Sequence, residues 1–217
     1  MRFLLLAMMP LAVSGQTGSA DPTLDTAGLP AWINFVPKPA PEPWRRPTGE
    51  ERLAQYARDT FGVTPLLAAG IGASVSFGLG RPVEWPQDFH GYRRRFGNNA
   101  AQHYIRSTAM HGLAAALGED NTYYRSQKQG AGARLGYALG HAFLARNGEG
   151  RLRFSASRFV AGAGVSKLSR TWVPPSWKGW DNVAVSYLLW SATEAGVNVG
   201  REFFPDLARG PRGGEEK

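Results

Sequence analysis

The stretch LLAAGIGASVSFGLG, residues 66–80, decides the fold because it contains no charged residue and repeats small residues at four-residue spacing. Residues four apart lie on the same face of a helix. These small residues are Gly70, Ser74 and Gly78. The uncharged run, residues 60–80, is long enough for a membrane span, but Pro65 interrupts it and its glycines lower its hydrophobicity. We expect a buried helix here rather than a spanning or re-entrant one.

The same small-residue spacing recurs in three later segments with helical periodicity. Glycine lacks the side chain that keeps helix axes about 8–10 Å apart, so two backbones can approach closely. Each glycine inside a helix costs roughly 0.5–1 kcal/mol relative to alanine, and close interhelical contact would offset that cost. We predict packing faces at Thr108, Gly112 and Ala116, at Gly132, Gly136 and Gly140, and at Ala192, Gly196 and Gly200.

The periodicity as a whole predicts an all-α bundle of five or six helices within residues 48–206. Thr48 and Glu51 fit a capping box that opens the first helix, and Gly62 ends that helix. Residues 151–157 alternate briefly like a strand, but a helix from Ser157 is the simpler interpretation. The later helices are expected at about 66–80, 91–117, 130–146, 157–172 and 179–204, with Pro205 closing the last.

The long third helix has one polar and one apolar face. The polar face carries Arg94, Asn98, Gln102 and Arg106 at four-residue steps. The apolar face includes Ile105, Ala109, Leu113, Ala116 and Leu117.

Residues 1–15 read as a secretory signal, with Arg2 before an apolar run and a small-x-small exit at residues 12–14. Residues 16–47 are rich in proline and predict a flexible, extended lead, and residues 207–217 predict a mobile tail. We therefore expect an exported protein of the periplasm or the envelope membrane.

The chain has no cysteine, so it enters an oxidising compartment without disulfides, thiolate metal sites or a cysteine nucleophile.

The charge balance is basic, with 25 Lys and Arg against 17 Asp and Glu and a net charge of +8. An exported chain meets anionic lipid head groups and acidic envelope polymers first, so we expect those partners or a second copy rather than nucleic acid. The densest basic cluster is Arg93-Arg94-Arg95.

No residue pattern carries a definite chemistry. The glycine pattern at residues 130–136 does not follow a buried strand, so we reject a nucleotide site. His103 and His111 lie eight residues apart on one helix, so they cannot bind one ion together, and we expect no metal and no cofactor. Glu119 and Asp120 follow a helix end, where loop and cap roles are as reasonable as acid–base chemistry. Glu194 and Arg201 share a face of the last helix and form the polar pair to test first.

Several segments together resemble a family of exported bacterial proteins to which no function is assigned. They are residues 90–97 (HGYRRRFG), 119–124 (EDNTYY), 134–139 (RLGYAL) and 198–206 (NVGREFFPD). The family pattern has Glu-Asp-Pro-Arg-Tyr where this chain has Asn121-Thr122 in place of Pro-Arg. The resemblance implies a signal peptide, a proline-rich lead and a helical domain, and it implies no reaction.

From these features we predict a non-enzymatic envelope protein that associates with a membrane surface, or with itself, through small-residue helix faces. The alternative is a soluble periplasmic enzyme acting on envelope polymers or lipids. In that case Glu119, Asp120, His103 or His111 would take part.

Overall fold

The structure, a computed structural model, describes residues 37–208. The predicted signal peptide, most of the lead and nearly all of the tail lie outside the described residues. The helices are α1 (Gly49–Phe61), α2 (Val63–Gly78), α3 (Phe89–Leu117), α4 (Ala131–Gly140), α5 (Ala156–Leu168) and α6 (Trp180–Ala208). Two short strands, β1 (Leu144–Arg146) and β2 (Leu152–Phe154), pair antiparallel, with Leu144 opposite Phe154 and Arg146 opposite Leu152. The predicted all-α bundle is confirmed.

Several helix ends follow from local chemistry. Thr48 and Glu51 form the predicted capping box, in which the Glu51 N–H donates to Thr48 Oγ1 and the Thr48 N–H donates to the Glu51 carboxylate. Asp88 caps α3 by accepting from the Gly91 N–H at 2.8 Å. Gly118 ends α3 in the left-handed conformation, with φ +69°.

Two predicted helix boundaries are wrong. The fourth helix stops at Gly140, and residues 144–146 form β1 instead of a last helical turn. The reason is tertiary, because the backbone of Arg146 exchanges two hydrogen bonds with Asp120, at 2.8 and 2.9 Å. The last helix does not end before Pro205 but continues through it to Ala208. Asp206 forms ion pairs with Arg125 and Arg134, and these hold the final turn in place.

The bundle is organised around its two longest helices. α3 packs against α1, α2 and α5, and α6 packs against α5 and α4. The expectation that α2 is buried is wrong, because only its narrow face toward α3 is covered. Ile71 is 67% exposed and Leu67 is 62% exposed.

The described end of the proline-rich segment lies against the domain. The Arg125 N–H donates to the Lys38 carbonyl at 2.9 Å. The Trp44 ring meets Tyr124 edge to face, and the Arg146 guanidinium lies over it at 5.2 Å. Residues 37–47 are therefore attached to the bundle.

Candidate functional site

The interior of the bundle is rich in polar side chains, and its outer surface carries many large apolar side chains beside charged ones, which departs from the usual distribution in a water-soluble domain. Among residues 37–208, seventeen polar or charged residues are buried against twelve apolar ones, and seven of those twelve are alanine. Asn98 and Gln102, on the polar face of α3, point inward, whereas Ile105 and Leu117 are exposed. No leucine, isoleucine or phenylalanine in this part of the chain is buried. The class of protein that these features define is an inverted helical bundle.

An ion cluster lies between α3, α5 and α6. Glu194 pairs with Arg106 at 3.4 Å and with Arg158, whose side chain is 7% exposed. The Arg158 guanidinium also donates to the carbonyl of Asn121 at 2.7 Å and to its side chain at 3.0 Å. The cluster therefore ties three helices and the α3–α4 connector together.

The predicted pair of Glu194 and Arg201 is not formed. Although the two residues share a face of α6, the carboxylate of Glu194 turns to Arg106 and Arg158, which come from other helices. Arg201 lies in the field of Asp59, and its Nε has no hydrogen-bond partner among residues 37–208.

Glu119 caps α5 from a distance. Its carboxylate accepts from the Ala156 N–H at 2.9 Å, the Ser157 N–H at 3.1 Å and the hydroxyls of Ser155 and Ser157 at 2.9 and 2.6 Å. Burial acts to raise the pKa of this carboxyl, but the bonds from Ser157, Ser155 and Ala156 outweigh it and lower the pKa below its ordinary value. A carboxylate held this way stabilises a helix N-terminus.

Asp120 is engaged within its own loop. Its carboxylate accepts from the Thr122 N–H at 3.0 Å, the Thr122 hydroxyl at 2.5 Å and the Tyr124 hydroxyl at 2.9 Å. For both acidic residues the structure therefore shows the loop and cap roles.

A pocket of about 390 Å³ between α1 and α3 contains Glu119, Asp120 and His111 in its lining, together with Tyr56 and Thr108. His111 Nε2 lies 3.5 Å from Asp59 Oδ2. His103 instead bonds the Asp59 carbonyl at 2.9 Å. Among residues 37–208 no group of three or more His, Asp or Glu side chains could hold a metal ion.

A second buried network was not anticipated from the sequence. The carboxylate of Glu202, 0% exposed, accepts from the Tyr123 hydroxyl at 2.7 Å, from Arg134 at 2.8 Å and from the Ser126 N–H at 3.0 Å. His141 is also fully buried, and its ring packs against Tyr123. The segments 119–124, 134–139 and 198–206, singled out in the sequence, supply Tyr123, Arg134 and Glu202. They are far apart in the chain, so the sequence did not show that they meet.

Most of the predicted small-residue faces are not close contacts within the chain. An added Cβ would meet no heavy atom within 4 Å at Gly78, Gly112, Gly132, Gly136 and Gly196. Ser74 and Ala192 are exposed. A Cβ added at Gly70 would lie 4.0 Å from the Tyr92 hydroxyl, and one added at Gly140 would lie 3.7 Å from the Leu144 side chain. Gly200 is half-buried on α6.

Close approach occurs instead at neighbouring positions. A Cβ at Gly72 would lie 2.9 Å from the Asn99 amide of α3, and one at Gly162 would lie 2.9 Å from the Tyr187 ring of α6. Ala69 and Ala73 complete the buried edge of α2. Small residues therefore do permit close helix contacts, but the α2 contact is rotated away from the predicted face.

One end of the bundle combines aromatic and basic residues. We call residues 79–95 and 167–180 the aromatic–basic end. It contains four of the seven tryptophans, and seven Arg and Lys against two carboxylates. The two segments meet where the Trp85 and Trp177 rings lie 5.9 Å apart and where Ser176 donates to the Glu84 carboxylate.

Buried arginines fix this end. Arg95, 1% exposed, donates to the carbonyls of Arg81 at 2.8 Å, Pro86 at 2.9 Å and Trp85 at 3.1 Å. Arg170 donates to the Ser166 carbonyl at 2.9 Å and also reaches Trp177. The loops that carry the tryptophans are therefore held by bonds to their backbones.

Comparisons of the chain with protein-family models, with curated proteins and with solved structures gave no match.

Proposed function

We propose that this chain is a non-enzymatic protein of the cell envelope that associates with a membrane by placing its apolar outer surface in lipid. The observation that supports this proposal is the inverted polarity of the bundle. Exporting the chain would bring it to such a membrane, and its basic charge suits anionic lipid.

The outer face of α2 makes the strongest case. It presents Leu66, Leu67, Ile71, Val75 and Leu79 as exposed side chains. These side chains are 38–70% exposed, so each gains only part of the roughly 1.5–3 kcal/mol that full burial of such a side chain provides. By length and composition, α1 and α2 taken together, Gly49–Gly78, form the one stretch within residues 37–208 that is apolar enough for a membrane span, with mean hydropathy 1.4 over a window that is 17% buried, and the extended Gly62 divides it into two shorter helices.

The interior supports the same proposal. Charged groups in lipid-embedded proteins face the bundle interior and pair there. Arg106, Arg158 and Glu194 do so, as do Arg134 and Glu202. Lipid outside the bundle would leave these bonds intact.

Self-association is the second candidate, and open small-residue faces favour it. Gly132 and Gly136 are exposed beside Leu135 and Leu139 on α4. A second helix could approach this surface closely. The enzyme alternative receives less support, because the carboxylates of Glu119 and Asp120 already accept hydrogen bonds in cap and loop roles.

Fractionation of cells that produce the full chain tests the proposal. The wild-type chain should stay in the membrane pellet after washes with alkaline carbonate and with high salt. The double variant Leu67→Glu/Ile71→Glu should move toward the soluble fraction, because two charges enter the lipid-facing surface. The control Gln127→Glu/Gln129→Glu adds the same charge at exposed polar positions outside the aromatic–basic end and should stay in the pellet.

Release of the wild-type chain by osmotic shock would contradict membrane association. Equal behaviour of the two double variants would show that the α2 face is not what anchors the chain. A wild-type chain that is soluble but oligomeric would favour self-association.

A further inference from the structure

We infer that the groove between Trp85 and Trp172 binds an acyl chain of an anionic phospholipid, with the lipid phosphate at Arg94. This inference rests on the proposed membrane association, and it assigns a lipid class and a binding position to the aromatic–basic end.

The groove has the size and lining of a ligand site. Its volume is about 480 Å³, within the range of roughly 300–1,000 Å³ that small-molecule pockets occupy. Its walls are the two indole rings and the side of α3 formed by Gly97, Ala101 and Ile105. The glycine and alanine leave room for a slender apolar chain along the helix.

The walls are held in position before any ligand arrives. The indole N–H of Trp172 donates to Asn98 Oδ1 at 3.0 Å. This bond satisfies the one polar group of the ring and fixes the ring against α3. Arg95 holds the backbone on both sides of Trp85 through its bonds to the Arg81, Trp85 and Pro86 carbonyls. A groove with fixed walls loses little freedom when it binds.

The charge at the mouth of the groove calls for an anion. Arg94 lines the groove, is exposed, and makes no hydrogen bond or ion pair within residues 37–208. The two carboxylates of this end are already bonded, Glu84 to Ser176 and Asp88 to the Gly91 N–H. A phosphate beside an apolar groove is the arrangement that a phospholipid presents, and a guanidinium binds phosphate through paired hydrogen bonds.

The surroundings favour a lipid over a soluble anion. Val83, Phe89 and Trp180 are each more than 70% exposed next to Arg93 and Lys178. Tryptophan beside basic residues is typical of the level where lipid head groups meet water. The groove would then open at head-group depth, with Arg94 toward the phosphates.

Quenching of tryptophan fluorescence by brominated lipids tests the inference on the full chain in neutral detergent micelles. Phosphatidylglycerol with brominated acyl chains should quench at lower concentration than brominated phosphatidylcholine. Arg94→Gln should weaken the apparent affinity for phosphatidylglycerol about fivefold and that for phosphatidylcholine less, because the choline group offsets the charge of the same phosphate. Arg153→Gln removes an exposed arginine on β2 and should change neither.

A second pair of variants tests the acyl-chain part. Ala101→Phe fills the groove and should weaken quenching by both lipids, whereas Ala115→Phe, at an exposed position on the same helix, should not. The inference is overturned if Arg94→Gln and Arg153→Gln act alike, if Ala101→Phe has no effect, or if glycerol 3-phosphate competes as well as the lipid. Any of these results with wild-type chain still in the carbonate-washed pellet would reject the groove and leave membrane association standing.

Discussion

Glu119 follows α3 in the chain, but its carboxylate serves α5, because the N–H groups of Ala156 and Ser157 donate to it. Sequence alone placed this residue at a helix end and left its role open between cap and catalyst. Its partners come from 36 to 38 residues away, and no local pattern specifies such a contact. The same limit explains the misassigned partner of Glu194, whose arginines lie on α3 and α5.

Replacing Glu119 by glutamine should lower the free energy of unfolding by about 1–3 kcal/mol, because a charged acceptor of four hydrogen bonds is lost at a helix N-terminus. Urea unfolding followed by circular dichroism measures the change. Glu149→Gln, at an exposed glutamate, is the matched control and should leave the midpoint unchanged. Equal effects of the two substitutions would show that Glu119 does not cap α5.

His141 should make stability depend on pH. Burial, with the positive charges of Arg158 and Arg146, lowers the pKa of His141 to about 3. An unfolded histidine titrates near 6.5, so the unfolded chain binds a proton between these values while the folded chain does not. Stability is therefore fully present above about pH 7 and falls as the pH drops, by about 2 kcal/mol at pH 5 from this residue.

The check is the difference in unfolding free energy between pH 7 and pH 5. His141→Gln should reduce that difference by about 2 kcal/mol, whatever its effect at pH 7. His90→Gln removes an exposed histidine and should leave the difference as in the wild-type chain. A wild-type pH dependence in His141→Gln would mean that the ring is charged in the folded state.

At the scale of the helices, the sequence periodicity predicted which residues share a helix face. It did not predict which of the two faces, polar or apolar, lies in the bundle interior. The polar and apolar faces of α3 are those read from the sequence, and Asn98 and Gln102 are inside while Ile105 and Leu117 are outside. A pattern of alternating faces is the same in water and in lipid, so spacing cannot distinguish the two environments.

Capping residues such as Thr48 were predictable because their bonds are local. The α4 end and β1 were not, because Asp120 pairs with Arg146 across 26 residues.

Alanine substitutions at two glycines of α5 should change the free energy of unfolding in opposite directions. A Cβ at Gly162 would press on the Tyr187 ring, and we expect Gly162→Ala to lower the free energy of unfolding by about 1–2 kcal/mol. A Cβ at Gly164 meets nothing within 4 Å, so Gly164→Ala should raise it by about 0.5–1 kcal/mol through helix propensity. Thermal unfolding of both variants decides this, and a stabilised Gly162→Ala would contradict close α5–α6 packing.

The molecule as a whole buries a set of charged side chains and leaves many of its large apolar side chains exposed. Its buried apolar residues are mostly alanine, and Arg95, His141 and Glu202 are among its most buried side chains. In water this arrangement would expose the surfaces whose burial normally drives folding. The proposed function therefore depends on lipid covering the outer surface, with the aromatic–basic end at head-group level.

Site-directed fluorescence tests that dependence most directly. Because the chain has no cysteine, a single introduced cysteine is the only site that a thiol-reactive dye labels. Single cysteines at Ile71 and Leu188, on the outer faces of α2 and α6, would carry an environment-sensitive dye in reconstituted vesicles, with Gln129→Cys as the exposed polar control. We expect nitroxide-labelled lipid to quench the first two dyes and aqueous iodide to quench only the control. Quenching of all three dyes by iodide, with none by the lipid, would contradict the account.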